Sequence, residues 1–240
     1  MSHPHGVTGS PDSAGGSTGK GSKGTGSTGL GVRSWMQEGM GILSKGGVSI
    51  SGAVGSEWCE AHRLLPEAGL LAGDLYEGEI KDGQPHGIGT VVYRNGFMFE
   101  GMFQNGIESG YGVIVDEHDQ ILYEGTVSDG LLNGKGKFTL PNGDIYSGGW
   151  KDGLFHGRGL YVVRSGGKYD GSWRDGVRDG AGDMQYPDGS EFSGLWRDGK
   201  RHGKGTFRHP NGFSYFGLWA DDAMEGNGRA VYPDASAYEG

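Results

Sequence analysis

The chain has 240 residues, of which 53 are glycine and 34% are hydrophobic, and its formal net charge is -9. An acidic chain lacks the basic surface that displaces counterions from nucleic acid, so we exclude nucleic acid as a partner. Glycine at this level without a Gly-X-Y period predicts a thin β structure instead of collagen, and the single cysteine, Cys59, excludes a disulfide within this sequence.

Residues 1–31 are almost entirely Gly, Ser, Thr and Lys, a composition that buries too little apolar surface to offset its ordering entropy. We therefore predict a disordered tail here. Gly24–Gly29 matches GxGxxG in form, but no predicted strand precedes it and no helix follows, so we assign no dinucleotide site. No apolar run is long enough for a transmembrane helix or a signal peptide, and we expect a cytoplasmic protein.

Residues 32–75 are predicted to be a linker that contains a short helix. The helix would run from Glu57 to Leu65, with Trp58 and Leu64 on one side and Pro66 after its end. We expect this segment to cap the array that follows, because the exposed end of a stacked array needs covering. The alternative is a motif that binds a partner.

Residues 76–240 repeat a pattern with a period of 23 residues. An aromatic residue opens each unit at offset 0, glycine lies at offsets 2, 11 and 13, and apolar residues lie at offsets 4 and 15. Because side chains alternate between the two faces of a strand, these offsets predict two strands per unit, each with one glycine–apolar face. The units are 76–98, 99–122, 123–145, 146–168, 169–191, 192–214 and 215–237, with the start of an eighth at 238–240.

Two turns per unit connect the strands. Asp152-Gly153 and its equivalents predict a type I′ turn, because both of its central residues take a positive φ. Asn142-Gly143 and its equivalents close the unit. The predicted fold is therefore all-β: an elongated, single-layer antiparallel ribbon of consecutive β-hairpins. Glycine at the face positions would let the aromatic rings lie flat across the ribbon.

Two units depart from this pattern. The second is one residue longer and has His118-Asp119-Gln120 near its closing turn, so we expect a bulge or a longer loop. The seventh has Asp222 in place of the first turn glycine and Ala235 in place of the closing one. We expect the first turn of this unit to change type or to be strained.

The run from Tyr146 to Tyr161, YSGGWKDGLFHGRGLY, and the run from Phe192 to Phe207, FSGLWRDGKRHGKGTF, closely resemble the MORN (membrane occupation and recognition nexus) repeat. The resemblance covers residues 76–240. It implies a scaffold or adaptor protein, since MORN proteins commonly occur at cytoskeletal, ciliary and membrane junctions and often self-associate.

No catalytic or metal-binding arrangement is predicted. Three histidines share one column, His86, His156 and His202, but they lie in repeats one, four and six, too far apart along the ribbon to share a metal ion. No Ser/His/Asp arrangement with a nucleophile elbow is present, and a ribbon provides no cleft for paired carboxylates. We therefore expect no enzyme activity, no cofactor and no metal.

Two groups of residues are candidates for binding. The first is the aromatic face, where the rings either form the core of the ribbon or support a groove for a partner helix or peptide: Tyr146, Trp150, Tyr169, Trp173, Phe192, Trp196, Tyr215 and Trp219. The second is a basic patch in repeat six, beside an acidic repeat five, that suits an anion or a phosphoinositide: Arg197, Lys200, Arg201, Lys204 and Arg208.

The leading hypothesis is a non-enzymatic cytoplasmic scaffold that binds a protein partner at a cytoskeletal, ciliary or membrane-proximal structure. One alternative is peripheral binding of anionic lipid through the basic patch. Another is the regulatory array of a larger enzyme, such as a lipid kinase. We also expect a homodimer through the C-terminal end, where the last strand leaves an unpaired edge.

Overall fold

The computed structural model describes residues 73–240. The predictions for residues 1–31 and for the helix and cap of the linker lie outside these residues. From Gly73 onward the chain forms fifteen strands, each hydrogen-bonded to the next in chain order in one antiparallel sheet. The all-β ribbon of consecutive hairpins is thereby confirmed.

The strands are, in chain order, β1 (Leu75–Lys81), β2 (Gln84–Val92), β3 (Met98–Gln104), β4 (Ile107–Val115), β5 (Ile121–Ser128), β6 (Leu131–Thr139), β7 (Ile145–Lys151), β8 (Leu154–Val162), β9 (Lys168–Arg174), β10 (Val177–Gln185), β11 (Glu191–Arg197), β12 (Lys200–Arg208), β13 (Ser214–Ala220), β14 (Ala223–Val231) and β15 (Ala237–Glu239). Each repeat contributes an odd-numbered strand of seven or eight residues and an even-numbered strand of nine.

The two turns of a repeat have different backbone conformations. In the first turn both central residues have positive φ, for example 49° at Asp152 and 80° at Gly153, as a type I′ turn requires. In the closing turn Leu140 accepts a hydrogen bond from Gly143 N and donates one to Asp144 O, and only Gly143 has positive φ. This is a three-residue loop in which a type I turn is followed by a left-handed glycine.

The seventh repeat keeps both turns without their glycines. Asp222 takes a φ of 70° in the first turn, and Ala235 takes a φ of 66° in the closing turn. The first turn, expected either to change type or to be strained, keeps its type. The strain is present instead, since a side chain in the left-handed region lies too close to the backbone carbonyl that follows it.

The extra residue of the second repeat forms a bulge, as predicted. Ile114 pairs with Tyr123 and Val115 pairs with Ile121, so Leu122 has no cross-strand partner. The closing turn itself is unchanged, because Asp116 N donates to Gln120 O as its equivalents do in the other repeats. The bulge therefore absorbs the insertion and leaves the rest of the sheet in register.

A row of glycines crosses β1 to β14. Gly148 pairs with Gly159 inside a repeat, and Gly159 pairs with Gly171 of the next repeat; the same alternation holds from Gly78 to Gly228. These glycines occupy offsets 2 and 13. The glycine at offset 11 has another cause: its φ is positive in every repeat, and it lies where the register of the first hairpin shifts.

Candidate functional site

The opening aromatic ring of each repeat lies across the glycine row. A Cβ atom at Gly159 would overlap the ring of Tyr146, and a Cβ atom at Gly148 would lie 2.5 Å from Gly159 Cα and 2.7 Å from the Tyr146 hydroxyl, so only glycine fits beneath the ring. The Tyr146 hydroxyl then reaches over the row and donates a 2.8 Å hydrogen bond to Gly149 O. Tyr76, Tyr123, Tyr169 and Tyr215 make the same bond to the residue three positions later. Glycine and tyrosine therefore act as one unit, as the sequence predicts.

The tryptophans at offset 4 join each repeat to the one before it. Trp150 Nε1 donates to Gly136 O at 3.2 Å, and Trp173, Trp196 and Trp219 make the equivalent bond. The Trp150 ring also packs edge-on against Tyr146 of its own repeat and Tyr123 of the preceding one, with centroid separations of 5.2 and 5.6 Å. Each tryptophan thus contacts two repeats through both a hydrogen bond and a ring contact.

The eight aromatic residues predicted to bind a partner are buried. Their exposed fractions lie between 0% and 6%, and they belong to one continuous hydrophobic cluster that runs through the array. Of the two roles considered for them, core and groove, burial assigns them to the core. A partner on this face must therefore contact the side chains that surround the rings.

One column of the aromatic face varies in chemistry from repeat to repeat. It lies at offset 9, directly opposite the tryptophan position, as in the pair Trp150 and Phe155. The other columns of this face hold glycine or an apolar residue in every repeat, whereas this one reads Pro85, Glu108, Leu132, Phe155, Arg178, Arg201 and Met224. The first four residues are buried, the two arginines are half-buried, and Met224 is 44% exposed. Within this column, the accessible side chains therefore lie in repeats five to seven.

The two arginines of this column pack on tryptophan rings of the next repeat. The guanidinium carbon of Arg178 lies 4.3 Å from the ring centroid of Trp196, and that of Arg201 lies 4.3 Å from Trp219. Both also donate from Nη2 to the first turn of that repeat, Arg178 to Gly199 O at 2.7 Å and Arg201 to Asp222 O at 3.0 Å. Each arginine therefore takes the inter-repeat place that Phe155 takes in repeat four, where its ring packs edge-on against Trp173 of repeat five.

The structure divides the basic patch predicted for repeat six between two faces. Arg201 lies on the aromatic face, where its Nε is 3.0 Å from Asp222 Oδ1. The other four, Arg197, Lys200, Lys204 and Arg208, lie on the opposite face, which we call the outer face, and are exposed. There Lys200 Nζ is 3.9 Å from Asp221, and Arg229 of β14 adds a further cation.

The three column histidines are half-buried and lie on separate hairpins, as predicted. His156 Nδ1 lies 3.5 Å from Asp175 Oδ1, but the geometry is not that of a hydrogen bond. Among residues 73–240, no group of three or more His, Cys, Asp or Glu side chains could hold a metal ion. No helix in the same residues is long and apolar enough to cross a membrane.

Buried carboxyl groups near the closing turns are absent from the sequence predictions. Asp144 accepts hydrogen bonds from Tyr161 Oη at 2.7 Å and Arg164 N at 2.8 Å, and it fixes the closing turn to the next repeat. Asp74 occupies the equivalent place before the first repeat and accepts from Arg94 N at 3.2 Å. The signal that reveals Asp74 is its position two residues before an opening tyrosine, which it shares with Asp144.

This geometry defines a repeat protein in which every hairpin packs on its neighbours in the chain. The family model of the MORN repeat matches residues 76–98, 99–116, 123–145, 146–168, 169–191, 192–214 and 215–236. These matches cover more than half of the chain, so the chain belongs to the MORN repeat family. Such repeats are generally non-enzymatic modules of protein-interaction scaffolds, and no catalytic family is indicated.

The chain is also similar to alsin. It is 34% identical over 77 residues to alsin of Mus musculus and 33% identical over 77 residues to alsin of Homo sapiens. In each case the match covers 30% of this chain and 4% of alsin, so the chain spans a small part of these relatives.

Two solved structures share some of the strand arrangement. One is the TCP domain of SAS-4 from Drosophila melanogaster in complex with a proline-rich motif of Ana2, at 14% identity and a TM-score of 0.39, covering 64% of this chain and 83% of that chain. The other is the TCP10 domain of Danio rerio CPAP, at 16% identity and a TM-score of 0.32, covering 70% and 89%. Likeness at this level carries no argument about function.

Proposed function

We propose that this chain is a non-enzymatic scaffold whose array binds a protein helix or peptide along the aromatic face. We place it in the cytoplasm at a cytoskeletal, ciliary or membrane-proximal structure. The observation that carries the proposal is the column at offset 9, whose charge and polarity vary on a face that is otherwise glycine or apolar. A constant framework with one variable column is how repeat arrays give each repeat its own contact with an extended partner.

The accessible part of the column supports repeats five to seven as the centre of this contact. Met224 presents an exposed apolar side chain beside the ring of Trp219, and the guanidinium groups of Arg178 and Arg201 lie along the same row. An amphipathic segment that combines apolar and acidic side chains fits such a row, because the apolar side chains would cover Met224 and the acids would face the arginines.

Site-specific crosslinking in cells tests this proposal. A photoreactive phenylalanine at Met224 of the full chain should crosslink to a defined protein, and the same group at Asp183 on the outer face should not capture that protein. Met224→Glu should weaken recovery of the protein while the array stays folded. Equal capture from both positions, or no protein captured at Met224, would contradict the proposal.

An alternative is binding of anionic lipid on the outer face. It is supported by Arg197, Lys200, Lys204 and Arg208, and by a shallow depression between β12 and β14 whose lining includes Thr206, Arg208, Ser214 and Arg229. The chain's net charge of -9 opposes it. Flotation with vesicles that contain phosphoinositide should recover the wild type but not Lys204→Glu with Arg208→Glu; no recovery of the wild type rules this alternative out.

A second alternative is that the array regulates a larger enzyme, such as a lipid kinase. Its support is that alsin, whose 4% matches this chain, is a much longer protein. The sequence of the full-length transcript tests it, because an enzyme domain must be encoded in the same reading frame.

A further inference from the structure

The outer face of the array carries two exposed apolar patches, one near each end of the described sheet. The N-terminal patch consists of Ile88, Met102 and Tyr111, which are 66%, 48% and 53% exposed. Ile88 and Met102 are cross-strand partners, and Met102 packs over Gly110 beside Tyr111, so the three side chains are contiguous. Contiguous exposed apolar side chains on a soluble surface indicate an interaction site.

The C-terminal patch consists of Leu195, Phe216 and Leu218, which are 45%, 63% and 39% exposed. Leu195 packs beside Gly203 on β12, and Leu218 faces Lys204 across β12 and β13. Between the two patches the same row of the outer face carries small or polar residues: Thr126, Lys135, Gly149, Arg158, Ser172 and Ala181. In this row the apolar side chains are therefore confined to two separate sites.

The two patches have opposite charges around them. Exposed glutamates surround the N-terminal patch, since Glu79 accepts from Ile88 N, Glu100 lies two residues before Met102, and Glu124 accepts from Tyr111 Oη at 2.6 Å. The C-terminal patch has Lys204 opposite Leu218 and Arg229 opposite Phe216, with Arg208 at its border. Glu191 and Glu239 lie opposite Arg208 and Arg229, so they reduce the positive charge there but leave it in excess.

We infer that the outer face binds a second copy of this chain, with the N-terminal patch of one copy against the C-terminal patch of the other. Like patches would bring like charges together, whereas unlike patches pair apolar side chains beside charges of opposite sign. Each copy carries both patches. Two copies that run in opposite directions can therefore form a closed dimer in which the contact is made twice, and copies that make it only once with each neighbour form an open chain. This contact differs from pairing between terminal strands, and it uses the face opposite to the proposed partner site.

Charge reversal tests the inference without removing apolar surface. One variant of the full chain carries Glu79→Lys with Glu100→Lys, and a second carries Lys204→Glu with Arg229→Glu. Light scattering should show that the wild-type chain self-associates at micromolar concentration. For each variant alone, the association constant should be lower by a factor of about ten or more. In an equimolar mixture, both patches of the first variant are basic and both patches of the second are acidic. The mixture should therefore regain the wild-type association.

Two further measurements make the result decisive. Lys151→Glu with Lys168→Glu changes the net charge as the second variant does but lies away from both patches, and it should associate like the wild type. Association of the wild type should also weaken as salt is raised. A wild type that stays monomeric overturns the inference, as does an association that neither reversal weakens or a mixture that associates no better than its components. None of these results bears on crosslinking at Met224, which lies on the other face.

Discussion

The hydroxyl of Tyr93 donates a 2.7 Å hydrogen bond to Oε1 of Glu108, and both side chains are almost completely buried. Glu108 lies in the variable column of the aromatic face, where other repeats have Leu132 or Phe155. Burial raises the pKa of its carboxyl above the ordinary 4.5, and the nearby charge of Asp74 adds to the increase. The first repeats of the array therefore contain a carboxyl group that folding makes harder to ionise.

Glu108→Gln should stabilise the array at neutral pH. Because the pKa of Glu108 is raised in the folded state, the stability that its protonated form provides is complete below 4.5 and is lost as pH rises through the folded pKa. Glutamine stays neutral and keeps an oxygen that can accept from Tyr93. The free energy of unfolding in urea should therefore exceed that of the wild type at neutral pH, and the difference should shrink in acid.

Glu100→Gln is the matched control, since Glu100 is exposed on the outer face of the same repeat. It should change the free energy of unfolding little at either pH. An advantage of Glu108→Gln that persists undiminished in acid would contradict the burial argument.

The glycines at offsets 11 and 13 should respond differently to the same substitutions. Gly159 has no space for a Cβ atom because the Tyr146 ring lies over it, whereas a Cβ atom at Gly157 meets nothing, although φ there is 70°. Gly159→Ala should cost about 1–3 kcal/mol through overpacking, and Gly157→Ala about 1–2 kcal/mol through its left-handed backbone.

Asparagine separates the two causes. It tolerates the left-handed region, so Gly157→Asn should cost less than Gly157→Ala, while Gly159→Asn should cost at least as much as Gly159→Ala. Urea unfolding of the four variants measures this. If asparagine fails to improve on alanine at Gly157, the cause assigned to offset 11 is incorrect.

The sequence predicts the hairpins well because their signals are local. An Asp152-Gly153 turn needs only its own two residues, and alternation along one strand places Gly148 and Tyr146 on the same face. Other features depend on contacts between strands. Gly157 and Gly159 look alike in a sequence, although Gly157 is required by a positive φ and Gly159 by the ring that lies over it. The burial of the rings in a single sheet depends on the tryptophans, which connect one repeat to another.

Arg201 shows where charge alone misleads. Grouping by charge places Arg201 with Lys200 and Lys204. Side chains alternate between the two faces along the strand, however, so Arg201 shares the aromatic face with Gly203 and Gly205, as the structure shows. The packing partner, Trp219, lies in the next repeat, and no pattern within repeat six reveals it.

Ala235→Gly should stabilise the seventh repeat. Ala235 is exposed and holds a φ of 66° in a closing turn where five of the other six repeats have glycine. Relief of the left-handed strain should exceed the entropy that glycine adds to the unfolded chain, for a net gain of about 0.5–1 kcal/mol. Hydrogen exchange of β13 and β14 is the suitable measurement, since one repeat of an array can open without the others. Ala230→Gly, on a regular strand, should accelerate exchange there.

Arg201→Met should lower the free energy of unfolding. If Arg201 were only a surface cation of an anion-binding patch, the substitution would leave the free energy of unfolding unchanged. Methionine keeps the apolar volume but loses the contact of the guanidinium with Trp219 and two side-chain hydrogen bonds of 3.0 Å to Asp222, from Nε to Oδ1 and from Nη2 to the backbone oxygen. The hydrogen bond from the backbone N to Asp222 Oδ1 survives the substitution, so we expect a loss of about 1–2 kcal/mol from the cation–π contact and the side-chain bonds.

Lys204→Met, an exposed outer-face change in the same strand, should leave the free energy of unfolding within about 0.5 kcal/mol of the wild type. Urea unfolding followed by tryptophan fluorescence measures both variants. Equal stability of the two would mean that Arg201 acts as a surface cation like Lys204 and not as a link between repeats six and seven.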